Sequence, residues 1–424
     1  MSRKMKDSGI EWIGEIPEGW SIARGKHILT LLQRAVSSTD GVITCFRDGE
    51  VTLRSNRRED GFTVSLKEIG YQGIEPGDLV VHGMDGFAGS IGISDSRGKS
   101  SPVLVVLDSS QDKKYLMYYL RSMAYNNVFL ALSTGIRVRS CDLKWNKLAD
   151  LLYLVPPIVE QHKLVSFLDE KCSEIDAMLS KTRSSIEEYK KLKQAVITQA
   201  VTKGVRGERE MKDSGVEWIG EIPKEFDSVQ LKFFCKLITD GTHFSPNTVE
   251  TGLPYITAGD VHGIGLDYNS AKRISEEDFQ LLVAQGCQPL KGDVLLVKDG
   301  ATTGRVGFVD SDTPCVILSS VAMLRPADNT DGHYLMYLLA SDFLQKQILV
   351  SMAGSAMPRT TLTKLTKYIG LLPSLHEQKE IADYLDAKCA EIDKLIAKKE
   401  QLVKELESYK KSLIYEVVTG KREV

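Results

Sequence analysis

The chain has no surplus of positive charge: 54 Lys and Arg stand against 57 Asp and Glu, a formal net charge of -3. A protein that grips nucleic-acid phosphates alone is expected to be basic. That reading therefore needs partners that carry phosphate contacts, or basic residues gathered on one face. Cysteine is scarce and unordered. Cys45, Cys141, Cys172, Cys235, Cys287, Cys315 and Cys389 are odd in number and nowhere spaced C-x-x-C. This argues against a disulfide framework or structural zinc and leaves small buried hydrophobes. There is no run of about 18 apolar residues, and the opening MSRKMKDSGIEW has no apolar h-region. Neither a membrane span nor a signal peptide is expected, and the chain is placed in the cytoplasm.

Catalytic constellations are missing as well. Arg97-Gly98-Lys99-Ser100 suggests a phosphate loop, but the required earlier glycine position holds Ile93, so the cradle is absent. His27, His82, His162, His243, His262, His333 and His376 show no close metal-ligand spacing. Asp169-Glu170-Lys171 and Asp386-Ala387-Lys388 have the residue types of a nuclease site. They fall within long helical patterns, where a solvated charged face is the reading. No Gly-rich dinucleotide fingerprint follows a strand, and no NPPY-like tetrapeptide occurs. No catalytic residue, metal ligand or cofactor is assigned, and the chain is read as a non-enzyme.

What is present is a duplication. At 424 residues, 42% hydrophobic and 26% charged, the chain is globular in composition and too long for one core. MKDSGIEWIGEIP at 5–17 recurs as MKDSGVEWIGEIP at 211–223, with only Ile10 and Val216 differing. EQHKLVSFLDEKCSEID from Glu160 matches EQKEIADYLDAKCAEID from Glu377. The offsets are 211 − 5 = 206 and 377 − 160 = 217, so the intervening material differs by about eleven residues while the flanks are kept. Between them GDLVVHGMDGFAGSIGISD from Gly77 parallels GDVLLVKDGATTGRVGFVD from Gly292, and KYLMYYLRS from Lys114 parallels HYLMYLLAS from His333. Asp78 to Val81 and Asp293 to Val297 read as strands beside Gly-rich turns. Leu116 to Leu120 and Leu335 to Leu339 read as short helices.

After Pro157 and Pro373, Gly and Pro disappear until Gly204 and Gly420, so nothing breaks a long helix. Val165, Leu168, Cys172, Ile175, Leu179, Thr182, Ile186, Tyr189, Lys193, Val196 and Ala200 alternate in steps of three and four. That is a heptad seam, and adding 217 reproduces it from Ala382 to Val417. Each seam is the natural partner of the other in an antiparallel pair, with a globular domain at each end and a pseudo-twofold axis. At about 1.5 Å per residue the seam spans on the order of 50 Å. Lys193 and Lys410 occupy equivalent seam positions and either fix register or snorkel to water. The fold class is α+β: two mixed α/β domains, 1–155 and 211–372, separated by two long antiparallel coiled-coil helices, 156–210 and 373–424.

The D-S-G-x-E-W-I-G-E-I-P block, the P-x-x-x-E-Q helix entry, the E-I-D on the helix and D-G-A-T-T-G-R-V-G at 299–307 together resemble the specificity subunits of type I restriction-modification systems. The resemblance covers essentially the whole chain in the family's order. It implies two target recognition domains, each reading one half of a split, asymmetric double-stranded DNA sequence, with helices that set the gap. It implies further that the helices dock two modification subunits, which bring S-adenosylmethionine and methylate adenine. Restriction subunits would add ATP-driven translocation and cleavage. The first domain departs from the turn pattern, with Asp85-Gly86-Phe87-Ala88-Gly89-Ser90.

DNA-contacting candidates follow from side-chain chemistry. In the second domain Lys298, Thr302, Thr303 and Arg305 surround the Gly-rich turn, where hydroxyl and backbone donors can approach phosphates and an Arg can read guanine. His243 and Arg359 are polar loop candidates. In the first domain Arg54, Asn56, Arg57 and Arg58 form a basic run, and Arg137 and Arg139 flank a loop. An ordinary solvated side chain explains each of these equally well, and Asp48, Glu50, Glu59 and Asp60 partly offset the run. Trp12 and Trp218 are read as packing anchors. Two other classes compete: a coiled-coil scaffold presenting two ligand-binding domains without nucleic acid, and a nuclease acting alone.

Overall fold

The duplicated D-S-G block folds for a local reason. Asp7 Oδ1 accepts the Gly9 N–H at 2.9 Å and Ser8 Oγ accepts the Ile10 N–H at 3.1 Å, with Gly9 at φ +64. Asp213 and Ser214 repeat both bonds at 2.9 and 3.1 Å, with Gly215 at φ +74. Two side-chain turns thus close an antiparallel hairpin, Met5–Asp7 with Glu15–Pro17 and Met211–Asp213 with Glu221–Pro223. The computed structural model describes residues 3–57, 68–131, 143–262, 265–352 and 358–424. The chain divides into two units, Met1–Arg183 with Gln401–Val424, and Ser184–Glu400.

In the first unit an antiparallel sheet has the order Leu29–Leu31, Leu104–Ser109, Leu79–His82, Ile91–Ile93. The helix Lys113–Tyr125 covers it. Asp112 caps that helix by accepting the N–H groups of Lys114 and Tyr115, the ordinary remedy for orphan donors at a helix start. In the second unit Cys235–Asp240, Val321–Pro326, Val294–Val297 and Val306–Phe308 make the same four-strand order, and Asp331 caps the helix Gly332–Ala340. Asp78 and Asp293 begin equivalent strands as buried carboxylates, one paired with Arg34 and the other with Arg325.

The two units differ on the other side of the sheet. The second carries another four-stranded sheet (Thr248–Val249, Lys272–Ile274, Leu253–Ile256, Val316–Ile317) and the helix Glu276–Ala284, with cores of their own. The described part of the first has only two two-stranded pairs, Ile43–Cys45 with Val51–Leu53 and Gln72–Ile74 with Gly98–Ser100. The length difference concentrates here: 292 − 77 = 215 exceeds the starting offset of 206 by nine residues.

The long helices run over Ile158–Lys203 and Leu375–Val418 and stop where Gly204 and Gly420 take φ +72 and +70, a common way for a helix to end. In the first unit Leu168, Cys172, Ile175 and Leu179 share a core with Leu413, Ile414 and Val417. Arg183 pairs with Glu407 at 2.5 Å and Asp176 with Lys410 at 2.7 Å, so the two segments are antiparallel. In the second unit Ile197, Ala200 and Val201 share a core with Ile381, Ala382, Leu385 and Cys389. There Lys193 pairs with Asp393 at 2.6 Å while Lys399 sits over the Tyr189 ring at 5.6 Å, again antiparallel. The seam lysines therefore end on carboxylates of the facing segment, each an aspartate of the repeated E-I-D.

Two readings are corrected. Asp169 and Asp386 are not merely solvated: Asp169 accepts from Tyr118 and Lys114 at 2.8 and 2.6 Å, and Asp386 from Tyr337 at 2.7 Å with His333 Nδ1 at 2.9 Å. They fasten the long helix to the capped helix of their own unit. Trp12 is an anchor, half-buried against Tyr119 and Tyr415 at 6.2 and 6.1 Å. Trp218 is 56% exposed. Leu338 and Thr198 stand where the repeat places those two tyrosines, so its aromatic partners are gone. Of the cysteines, Cys45, Cys172, Cys287, Cys315 and Cys389 are buried and Cys235 is half-buried, all as free thiols; Cys141 lies outside the described residues. No helix among the described residues is long and apolar enough to cross a membrane.

Candidate nucleic-acid interface

The Gly-rich turn of the second unit is held by what surrounds it. Its flanking strands, Val294–Val297 and Val306–Phe308, are wholly buried. Gly304 adopts φ +97 and its carbonyl accepts Gln345 Nε2 at 2.8 Å; a side chain at 304 would collide with that carboxamide. Thr303 Oγ1 donates to Gly300 O at 2.6 Å and reaches Pro358 O at 3.2 Å, so it latches the turn to the segment carrying Arg359. Thr302 is half-buried. Arg305 donates to the Val261 carbonyl at 3.3 Å and lines a cavity of about 490 Å³ with Lys190, Lys193, Gln194 and Asp393.

The candidate Lys298 is 3% exposed, and its ammonium faces Asp299 at 2.8 Å and Asp240 at 3.3 Å. A lysine taken out of water is tolerated when carboxylates replace its hydration. Arg359 Nε lies 2.9 Å from Asp299 Oδ1, and His243 Nε2 lies 3.6 Å from Asp240 Oδ2. The structure therefore gathers Lys298, Arg359 and His243 around two aspartates that sequence reasoning did not single out. No local signal marked Asp240, because it lies 58 residues before Lys298 and meets it only through the sheet.

In the first unit a cleft of about 680 Å³ is lined by Thr44, Phe46, Arg47, Arg54, Arg57 and His82, among others. Arg54 Nε donates to Thr44 Oγ1 at 3.0 Å, and Asn56 Nδ2 donates to Thr52 Oγ1 at 2.9 Å. The Arg57 guanidinium lies 4.2 Å from the Phe46 ring centroid and pairs with Asp48 at 2.7 Å and Glu50 at 2.9 Å. Burial would push the Asp48 carboxyl up, but Arg57 and the Glu50 N–H outweigh it and hold the group below its ordinary value. Arg47 pairs with Asp85 at 3.0 Å. His82 Nδ1 accepts the Asp85 N–H at 3.0 Å, and burial holds its pKa below the ordinary 6.5, with Arg47 acting in the same direction and Asp85 opposing. With Nδ1 accepting, Nε2 is left as the ring's donor. Arg47 and His82 were not among the sequence candidates; at the His82 position the second half has Val297. Arg58, Arg137 and Arg139 lie outside the described residues.

Both units thus present arginines that share carboxylates, with hydroxyl, amide and imidazole groups beside them. Such surfaces are near neutral locally, which accords with the chain's charge of -3. Among the described residues no group of three His, Cys, Asp or Glu is placed to hold a metal ion.

Residues 223–405 match the family described as the type I restriction modification DNA specificity domain. The chain is similar to the type I restriction enzyme MjaVIII specificity subunit of Methanocaldococcus jannaschii, with 26% identity over 77% of this chain and 74% of the relative. A putative type I restriction enzyme MjaX specificity subunit of the same organism is 23% identical over 96% of this chain and 95% of its own. A solved structure from work on complex assembly and conformational transition of the type I R-M system covers 96% of this chain and 99% of its own, with a TM-score of 0.73 and 16% identity. The crystal structure of the HsdS subunit from Thermoanaerobacter tengcongensis covers 98% and 100%, with a TM-score of 0.51 and 17% identity. At such identities the structural likeness is one of fold.

Proposed function

We propose that this chain is one of the type I restriction-modification specificity subunits, the non-catalytic DNA-recognition components of those systems, and that each half reads one part of a bipartite, asymmetric double-stranded target. One observation carries the reading: the bonds that fasten each long helix to its unit recur while the turns between the equivalent strands differ. Gln161 donates to Pro156 O at 2.8 Å and accepts from the Asp112 N–H at 3.0 Å. Gln378 donates to Pro373 O at 2.9 Å and accepts from the Asp331 N–H at 2.9 Å. On that common frame the first unit offers Asp85-Gly86-Phe87-Ala88-Gly89-Ser90 and the second Gly300-Ala301-Thr302-Thr303-Gly304-Arg305. A frame kept twice serves one task performed twice, and turns that differ serve two different sequences.

Under this reading recognition domains occupy 1–155 and 211–372, and the helical segments 156–210 and 373–424 set the unread gap and receive two modification subunits. Those subunits bring S-adenosylmethionine and methylate adenine; restriction subunits add translocation and cleavage, and the complex works in the cytoplasm. The test is filter binding of duplex DNA at low salt, with and without a modification subunit. The proposal expects sequence-selective retention that strengthens with the partner. Equal indifference to DNA in both states would support a scaffold for other ligands instead.

A further inference from the structure

We propose that Arg359 reads a guanine in the half-site of the second unit and that Asp299 is the positioning residue that aims it. This rests on the DNA-reading function above and adds to it a base and the pair of side chains that recognises it.

The backbone around Arg359 is pinned on both sides. The Gly300 N–H donates to Pro358 O at 2.9 Å and the Thr360 N–H to Lys298 O at 2.9 Å, while the Lys298 N–H is itself bonded to Ser320 O at 2.8 Å. Thr360 is buried, and its hydroxyl meets Tyr368 Oη at 2.6 Å. Arg359 therefore projects from a point fixed to the sheet, although it lies in a loop.

Its side chain is fixed only at the near end. Asp299 Oδ1 faces Nε at 2.9 Å and Asp299 Oδ2 accepts from Lys298 Nζ at 2.8 Å, so the carboxylate is held between two cations and cannot swing away. The Arg359 side chain is nonetheless 60% exposed. The contact is an ion pair without hydrogen-bond alignment, Asp299 Oδ1 having no hydrogen-bond partner, and it leaves the N–H groups of both terminal nitrogens, the pair that matches guanine O6 and N7. Arg325, by contrast, spends Nε and one terminal nitrogen on Asp293 at 2.9 and 2.7 Å.

Local charge distinguishes a base contact from a phosphate contact. Lys298 and Arg359 are balanced by Asp240 and Asp299, the latter two within 3.3 Å of the lysine ammonium. Asp299 lies beside the guanidinium and Asp240 on the lysine, so these four groups carry no net charge and offer a phosphate little attraction. The pairing costs little against the neutral edge of a base, where direction rather than net charge supplies the discrimination.

The experiment uses the chain in complex with its modification subunits and duplexes in which each base of both half-sites is varied in turn, at two salt concentrations. Arg359→Lys keeps the charge and loses the fork; Asp299→Asn keeps the fork and loosens its aim. Both variants are expected to lose about ten- to a hundred-fold discrimination at one and the same guanine, with first-half preferences and salt dependence unchanged. The first half-site reports intact folding and assembly. Should Asp299→Asn lower the melting temperature because Lys298 loses a charged partner, Arg359→Lys, at an exposed position, carries the test. Uniform weakening on all sequences with a shallower salt slope would make Arg359 a phosphate contact and overturn the proposal. Unchanged discrimination at every position would make the pair purely structural and overturn it too. A parent complex with no base preference would refute the DNA-reading function itself, a distinguishable result.

Discussion

Replacing Gln161 by Leu should destabilise the first unit by about 3 kcal/mol. The residue is fully buried, and its carboxamide makes three bonds: to Pro156 O and Gln111 Oε1, both at 2.8 Å, and from the Asp112 N–H at 3.0 Å. A neutral hydrogen bond contributes roughly 1 kcal/mol net, and a buried donor left without a partner costs about 1–3 kcal/mol. Three lost bonds therefore give about 3 kcal/mol, rising toward ~5 if the Asp112 N–H is stranded. Leucine is close enough in volume that little cavity cost is added. With a urea m-value of about 3 kcal/mol/M, the midpoint should fall by roughly 1 M. Tryptophan fluorescence distinguishes the units, since Trp12, Trp20 and Trp145 belong to the first and Trp218 to the second. Gln378→Leu should repeat the effect on the Trp218 signal. A change below about 0.5 kcal/mol in either variant would refute the claim that these glutamines fasten the long helices, because surface substitutions produce no more.

Three further outcomes are expected. His82 binds its proton less readily in the native unit than in the unfolded chain, so stability should be flat above the unfolded value near 6.5 and fall as pH drops below it toward the lowered native value. His82→Asn should flatten that dependence in urea melts at pH 7.5 and 5.5, and a parent more stable at the lower pH would contradict the sign. Lys193→Asp places like charges at the Asp393 pair and should cost up to about 1 kcal/mol, the scale of exposed ion pairs, with recovery when Asp393→Lys is added; absence of recovery in a double-mutant cycle would show the pair to be uncoupled. Native mass spectrometry with excess modification subunit should reach two copies per chain, and saturation at one would contradict a repeated docking surface.

Where the chain itself forms the structure locally, the sequence was enough for the helix ends, which follow from Gly204 and Gly420. The D-S-G block showed only as a duplication, although its hairpin closes on neighbours two residues away. The seam was readable because a heptad keeps its period whatever the partner. The buried Gln161 and Gln378 sat in an evident E-Q motif, yet their roles depend on Asp112 and Asp331, 49 and 47 residues away. Lys298 looked like a phosphate ligand because composition records a charge and not the two aspartates folded against it. Trp218 looked like Trp12 because the block is duplicated, whereas the tyrosines that bury Trp12 stand at repeat positions where the second half has Leu338 and Thr198.

Two heads on a repeated frame imply independent reading of the two half-sites. Its most direct test is to replace residues 20–150 with the corresponding domain of a relative, express the chimera with its modification subunits, and map methylated adenines across a genome. A new first half-site joined to the parent's second half-site is expected. A chimera that is active but changes both half-sites, or neither, would contradict it.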